Sequence, residues 1–514
     1  MHDVIIIGAG IAGSACAHYL ARYELDVLVI DAEYDIAVGT TRANSGIVHS
    51  GYDPEPGTLK AKYNIEGSHM YPELAKQLGF EFRQNGSLIV AFSEEERPAI
   101  EKLLARGIEN GVEGLRIMES EELHAKEPNL NPEAVAALWA PTGGIVDPYG
   151  ACLAFAETAA RNGVEFRFGV KAEDLKLEDG IWNVTVSYNG DATCAPESPA
   201  EASQSASEGS FDILRARIVI NAAGLDSGRL NGCASQADDF KITPRVGEYL
   251  LLDKAHGTAF DSTIFQVPTA NGKGVLVSPT IEGNLIIGPN AVVRESAEDT
   301  WTTNEGLAQI LREASKTWTK IPSWDAITNF AGLRPTCVES PDFHLGEPAD
   351  APGFFNICGF DSPGLTAAPA VGKDFAERIA AKLNATEKAE FIDHRDAPRH
   401  ISKMTDEELA AAIAEDPAWG AVVCRCECVS EAEIVEALTS PVPAKTADAI
   451  KWRTRAGMGR CQSGFCLPIT MQLIAREHGI DLADVNKGRD GSFLTFGHRG
   501  CFDRLPEVEM GGAQ

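Results

Sequence analysis

The sequence predicts an α/β dinucleotide-binding domain interleaved with an antiparallel-sheet domain, α/β plus α+β in class, with a small cysteine-bearing domain towards the C-terminal end. Three observations carry that expectation. The first thirty-one residues read as strand, glycine turn, helix and second strand; alternating strands with glycine turns fill 243–291; and five of the twelve cysteines cluster between 424 and 466. With 514 residues, 44% of them hydrophobic and 23% charged, the chain has room for two or three globular domains.

The strand Val4-Ile5-Ile6-Ile7 runs into Gly8-Ala9-Gly10-Ile11-Ala12-Gly13. In such a turn Gly8 permits the tight bend, Gly10 lets a pyrophosphate approach the free amides of the next helix, and Gly13 lets helix and strand pack closely. Asp31 ends the second strand, so its carboxylate falls where a ribose hydroxyl would sit. Short glycine patterns also serve as plain turns, but here strand, helix and acid all stand at the spacing a dinucleotide requires.

Thr40 to Tyr52 is a run of small polar residues and glycines around one histidine, His49. It is poor as a helix or core strand and suits a stretch passing close to a ligand. Residues 59–109 read mainly as helices with a strand at 88–90, and 139–180 as short strands with a helix near 150–162. The Ser-, Ala- and Glu-rich stretch from Asn189 to Gly209 reads as an exposed, mobile hairpin insertion. Ile218 to Gly224 is a buried strand whose small last residues let it return beside the dinucleotide. A helix near 305–318 leads to Phe330-Ala331-Gly332-Leu333-Arg334-Pro335-Thr336, where Arg334 occupies a costly place for an unpaired charge. A strand from Gly353 to Gly359 is followed by Phe360-Asp361-Ser362-Pro363 and a further helix, with Asp361 and Ser362 as its expected caps and Pro363 in its first turn.

Acids outnumber bases 75 to 45, and the net charge of −30 argues against nucleic acid or an anionic membrane surface as a partner. No apolar run reaches the length of a membrane span, and the first strand starts too early to leave room for a signal peptide. The expected location is the cytoplasm, or the periphery of an inner membrane through a partner.

Three glycine-rich elements, at 8–13, 221–224 and 359–364, occur in the order seen in flavoproteins of the D-amino-acid-oxidase type. The first 385 or so residues resemble the FAD-dependent glycerol-3-phosphate oxidases and dehydrogenases. The likeness lies in Ala43-Asn44-Ser45-Gly46-Ile47-Val48-His49, Asp53-Pro54-Glu55-Pro56, Leu59-Lys60-Ala61-Lys62-Tyr63-Asn64, Gly272 to Pro279, and Gly283-Asn284 to Gly288-Pro289. It implies a Rossmann-like FAD-binding domain (about 1–80, 145–230 and 330–385) interleaved with a substrate domain (about 81–144 and 240–329) within 1–385. It also implies oxidation of sn-glycerol 3-phosphate to dihydroxyacetone phosphate, with hydride passing to flavin N5. His49 matches the family's base. Arg334 and Lys273 match its phosphate contacts, and Ser45 and Ser362 match positions lining the same pocket. The implied FAD contacts are Gly8, Gly10, Gly13, Asp31, Thr41, Ser45, Gly224, Gly359, Pro363, Gly364, Leu365 and Thr366. The last of these elements would aim a helix N-terminus at the flavin and stabilise negative charge on its reduced ring.

Residues 386–415 read as a linker and 416–514 as the cysteine domain. Four thiolates in two close pairs, Cys424 with Cys426 and Cys461 with Cys466, hold zinc or an iron–sulfur cluster far more readily than they form disulfides in a reducing compartment. Their CxC and CxxxxC spacing, with Lys451 to Arg460 between, resembles the bacterioferritin-associated-ferredoxin-like [2Fe-2S] domain. Five bases against one acid in 445–460 would offset an anionic cluster, and Cys466 stands just before a helix whose dipole favours a thiolate. On an extended strand Cys428 would share a face with Cys424 and Cys426, so a ligand exchange is conceivable there. Zinc and a basic docking surface are the rival readings of this domain.

Two rival functions stand beside the leading one. Oxidases of L-2-hydroxy acids such as 2-hydroxyglutarate share Asn44-Ser45-Gly46 and His49, and a carboxylate can also use Arg334; Asp53-Pro54-Glu55-Pro56 and Gly272-Lys273-Gly274 favour the phosphate. A non-catalytic electron-transfer subunit would not need His49, Lys273 and Arg334 together. The expected partners are a small anionic substrate and an electron-acceptor protein or quinone-linked subunit, in a monomer or an oligomer.

Overall fold

The computed structural model describes residues 1–188, 211–237, 240–268 and 274–495; the expected insertion at 189–209 and Lys273 lie outside them. Two compact units divide the chain, Met1–Pro398 and Arg399–Gln514.

Among the described residues the first unit is built on two large sheets, with a small three-stranded one formed by Ile47–Val48, Gly144–Val146 and Phe82–Arg83. In one, the neighbours run Val170–Glu178, Ile181–Tyr188, Phe211–Asn221, His2–Ile7, Val27–Asp31 and Glu165–Phe168, with Phe354–Cys358 also paired to Phe211–Asn221. The His2–Ile7 strand is parallel to both its neighbours, and Val4, Ile5 and Ile6 are fully buried, as expected of a strand covered on both faces. Small residues set how closely the helices approach. A Cβ on Gly13 would lie 1.9 Å from Gly8 O, one on Gly67 2.0 Å from Thr366 O, and one on Gly372 2.8 Å from Ala15 C. The helices Ile11–Leu20, Leu59–Leu78 and Gly364–Leu383 therefore meet backbone to backbone.

Among the described residues the second sheet has nine strands, dominated by the antiparallel pair Ile242–Leu252 and Ala326–Cys337. The register of that pair runs from Ile242 opposite Cys337 to Leu252 opposite Ala326, so residues 330–337 belong to this sheet and not to the dinucleotide-binding one.

Residues expected to form a linker have two different attachments. Up to Pro398 they belong to the first unit, where Arg395 Nε meets Glu157 Oε2 at 2.5 Å and Arg395 Nη1 donates to the carbonyls of Leu78 and Gly79. Both side chains of that ion pair are buried, 7% and 4% exposed. Beyond it, Asp406–Glu415 is a helix of the second unit, started by a reciprocal Thr405–Glu408 capping box. The second unit packs Glu431–Leu438, Ala447–Thr454 and Leu467–His478 around Ile434, Leu438, Ile450, Met471 and Ile474. Among the described residues no helix is long and apolar enough to cross a membrane.

One buried histidine makes the first unit sensitive to acid. His18 sits in the Ile11–Leu20 helix against Phe155 and Phe391, and its Nδ1 has no hydrogen-bond partner among the described residues. Burial lowers the imidazole from 6.5 to about 4, against a smaller upward pull from Asp393. Below pH 6.5 the unfolded chain takes up a proton that the folded chain does not, so stability is lost as pH falls from about 6.5 to about 4. His18→Leu is expected to remove acid sensitivity on the order of 3 kcal/mol between pH 7 and pH 4. Denaturant unfolding at the two pH values checks this; an unchanged difference between variant and wild type would exclude His18 as the source.

Candidate functional site

A cavity of ≈ 1340 Å³ opens where the glycine turn, the Thr40–Tyr52 run, the second sheet and the segment before the Gly364–Leu383 helix meet. It exceeds the roughly 300–1,000 Å³ usual for a small-molecule pocket and can take a dinucleotide with a small substrate. Of the residues expected at the cofactor and substrate, Gly8, Gly10, Asp31, Thr41, Ser45, His49, Gly224, Arg334, Ser362, Pro363, Gly364 and Leu365 line it.

The turn has the local geometry that its glycines suggest. Gly8 has φ +109°, and a Cβ there would lie 2.3 Å from Ala222 O, so only glycine lets the two strands close over the turn. The helix begins after Gly10 without a side-chain cap from that residue, and Ile11 N–H donates to Thr41 Oγ1 at 3.0 Å. Asp31 accepts from the amides of Ala9 (2.6 Å) and Glu33 (2.8 Å). Burial raises its carboxyl to about 6 in spite of those two bonds. Gly13, Gly359 and Thr366 do not line the cavity. Gly13 seats the helix on the turn, Gly359 bends the chain at φ +60°, and Thr366 lies behind His49.

His49 is held by its backbone. Its N–H donates to Thr366 Oγ1 at 2.9 Å, and its carbonyl accepts from Asn64 Nδ2 at 2.9 Å. The imidazole meets Ser362 with Nε2 and Oγ 3.4 Å apart, and its centroid lies 5.9 Å from that of Phe265. The expected capping by Asp361 and Ser362 is overturned: the Gly364–Leu383 helix has no side-chain cap. Asp361 instead pairs with Lys60 Nζ at 2.7 Å and accepts from Thr336, while Ser362 turns to His49. An ion pair to a half-buried lysine outcompetes a cap because it neutralises the carboxylate. The helix start that borders the cavity is thereby left for a ligand.

Arg334 lies over a bare strand. Its Nη2 is 2.5 Å from where a Cβ of Gly247 would stand, and it donates to Asn290 O at 3.4 Å. Among the described residues it has no carboxylate partner. Ser45 Oγ lies 3.3 Å from Tyr249 OH, and the Tyr249 ring stacks on Phe330. Tyr249, Lys60, Arg245 and Asn290 line the cavity but were not singled out from sequence. Alternation marked their strands without showing which face meets the cavity.

In the second unit the four expected ligands come together in two cross-pairs. Cys424 pairs with Cys466, and Cys426 with Cys461. The hydrogen bond with Cys466, with the amides of Gly457, Glu427 and Cys426, lowers Cys424 to about 6 although burial opposes it. The neighbouring Cys424 and burial shift Cys466 upward, even though it stands at the start of the Leu467–His478 helix. Gly459 brings the basic loop onto the site, since a Cβ there would lie 2.4 Å from Cys426 Cβ. Two of the loop's cations have other partners: Arg455 pairs with the buried Glu427, and Arg453 donates to the carbonyls of Ala449 and Val442. The extended strand that would put Cys428 on one face with Cys424 and Cys426 is not formed. The strand Val422–Cys424 ends in a turn, and Cys428 is exposed with φ +55°. A tight turn back to Val429–Ser430 breaks the alternation that would have given the three cysteines one face.

The model of the FAD dependent oxidoreductase family matches residues 3–378, and that of the BFD-like [2Fe-2S] binding domain matches 422–476. The chain belongs to the FAD dependent oxidoreductase family. It is similar to a glycerol 3-phosphate dehydrogenase of Caloramator mitchellensis, 39% identical over 97% of this chain and 98% of that one. Human mitochondrial L-2-hydroxyglutarate dehydrogenase is 33% identical over 57% of this chain and 61% of its own length. The dithionite-reduced L-alpha-glycerophosphate oxidase of Mycoplasma pneumoniae, with FAD bound, superposes with a TM-score of 0.68 at 32% identity, covering 77% of this chain and 99% of that one.

The chain is thus a flavoprotein oxidoreductase with a [2Fe-2S] domain, and its cofactors are FAD and that cluster. The residues fit both. A side-chain-free glycine turn and an uncapped helix start border the large cavity. Two thiol pairs fit a two-iron cluster.

Proposed function

We propose that the protein oxidises sn-glycerol 3-phosphate to dihydroxyacetone phosphate and passes the electrons to an acceptor protein or quinone-linked subunit. One observation carries the reading: His49, the glycine turn and an arginine with no carboxylate partner among the described residues line the same cavity. FAD, when bound, supplies the two-electron acceptor, and the [2Fe-2S] cluster supplies a one-electron outlet.

The chain's own residues supply binding and proton handling. Oxidation of a secondary alcohol releases its hydroxyl proton, and His49 Nε2, 3.4 Å from Ser362 Oγ, receives it. Thr366 and Asn64 fix the backbone on either side of His49, so the residue keeps its place at the cavity. Arg334 offers a planar fork to the phosphate, and the bare surface at Gly247 leaves that fork room. Lys273, outside the described residues, is proposed as a further cation for the same group.

Likeness to a glycerol 3-phosphate dehydrogenase over nearly the whole chain, cysteine domain included, supports this substrate over a 2-hydroxy acid. Anaerobic mixing with glycerol 3-phosphate is expected to bleach the flavin band in a single turnover, and L-2-hydroxyglutarate to leave it. The reverse result would transfer the proposal to the hydroxy acid.

Arg334→Lys is expected to raise the KM for glycerol 3-phosphate, because one point charge replaces a two-pronged donor. Loss of one charged hydrogen bond from a desolvated site costs on the order of 2 kcal/mol, or roughly thirtyfold. Steady-state kinetics check this, and a wild-type KM would put the phosphate elsewhere.

A further inference from the structure

Asn290 holds a buried hydrogen-bond donor at the wall of the cavity. The residue is 3% exposed and lines the cavity, and among the described residues no atom accepts from its Nδ2. The chain itself sets the direction of that amide. Glu248 N–H donates to Asn290 Oδ1 at 2.8 Å, and because a backbone amide only donates, the side-chain oxygen must face it and the NH2 group must face elsewhere. A buried N–H without a partner is rare, and it costs desolvation free energy until something outside the chain accepts from it.

The donor stands beside Arg334. The guanidinium Nη2 donates to the Asn290 carbonyl at 3.4 Å, and Pro289 and Arg334 both border the bare position at Gly247, where a Cβ would lie 2.7 Å from Pro289 Cβ and 2.5 Å from Arg334 Nη2. Glu248, whose backbone orients the amide, does not take its hydrogens. The Glu248 carboxylate instead accepts from Arg294 Nη2 at 3.1 Å, from Thr303 N–H at 3.1 Å and from Thr303 Oγ1 at 3.0 Å.

The number of acceptor oxygens on a bound anion decides what such a donor does. A guanidinium fork lies in one plane and meets two oxygens, which are all that a carboxylate has. A phosphomonoester has three strong acceptor oxygens in a tetrahedral array, so one of them leaves the plane of the fork and needs a donor of its own.

We propose that Asn290 Nδ2 donates to the third oxygen of a phosphomonoester held by Arg334, and that this bond favours a phosphate over a carboxylate at the same place. The inference deepens the functional reading and rests on it for seating the anion at Arg334, but the donor itself is tested without turnover.

The test uses the full-length, FAD-loaded protein. Inorganic phosphate and, separately, acetate are titrated while the flavin absorbance is followed, and KM and kcat for glycerol 3-phosphate are measured in parallel, for wild type and Asn290→Ala. Asn290→Ala is expected to weaken phosphate binding at least tenfold and acetate binding less than threefold, the loss of one hydrogen bond to a charged acceptor falling on the phosphate alone. KM for glycerol 3-phosphate should rise at least tenfold, with kcat falling less than threefold. A purely structural role, exercised by displacing Arg334, would weaken both anions alike.

Phosphate and acetate weakened to the same extent, or neither weakened, overturns the inference and leaves the functional reading standing. Phosphate binding that depends on Asn290, in a protein whose flavin glycerol 3-phosphate does not reduce, sinks the functional reading and keeps the anion site. If Asn290→Ala loses FAD, Asn290→Asp decides, because it keeps an acceptor for Glu248 N–H while removing the amide donor: phosphate weakened more than acetate supports the donor, and equal or no weakening rejects it.

Discussion

His49→Gln is expected to leave FAD bound and to slow substrate-driven flavin reduction by a factor on the order of a hundred or more, the usual size of a general-base contribution. The backbone of residue 49 is tied to Thr366 and Asn64 independently of its side chain, so the loop should keep its path. The ring lies beside Ser362, at 3.4 Å, and the neighbouring Phe265, and a glutamine of similar length fills that space. What the variant lacks is a group able to hold a proton near neutral pH. The proper measurement is single-turnover anaerobic reduction followed at the flavin band, which separates this step from reoxidation. Reduction at the wild-type rate would remove His49 from the chemistry, and loss of the flavin spectrum on purification would assign it to cofactor binding instead.

Truncation after Pro398 is expected to abolish every visible and paramagnetic signal of the cluster while leaving substrate-driven bleaching of FAD intact. The cavity residues all lie in Met1–Pro398, and the four thiols lie in Arg399–Gln514. Turnover with a one-electron acceptor protein should fall sharply, whereas a small dye that reaches the flavin should still be reduced. The position of the cut matters. Ending the chain at residue 385 also deletes Arg395 and leaves Glu157 buried without its partner, which costs about 3–5 kcal/mol. The shorter fragment should therefore unfold at markedly lower denaturant than the one ending at Pro398. Equal midpoints would deny the Arg395–Glu157 pair its stabilising role. Stoichiometric zinc, without iron or sulfide, in the anaerobically purified full chain would make the cysteine domain a structural module and end the proposed electron route.

The parts legible from sequence are those whose physics is local. Gly8, with φ +109°, and Gly13, whose Cβ would strike Gly8 O, answer to the geometry of one turn, and Asp31 stands at a spacing set by one strand and one helix. The cysteine pairs were readable because thiolates so close in sequence have few other uses. His49 and Arg334 were reached through family resemblance, since a single histidine or arginine carries little information of its own.

Tertiary structure decided what depends on partners far away in the chain. Asp361 is a plausible cap by sequence, yet it pairs with Lys60, three hundred residues earlier, because folding brings an ammonium beside it. Cys428 would share a face with its neighbours on a strand, but the hairpin turns before it is reached. Arg245 sits on a strand whose alternation is plain and whose buried face is not, because a period of two leaves two equivalent assignments until a partner strand is chosen. Only the pairing of Ile242–Leu252 with Ala326–Cys337 sets Arg245 across from Arg334 and turns both towards the cavity, since register is fixed by contacts between strands and is written in neither strand alone.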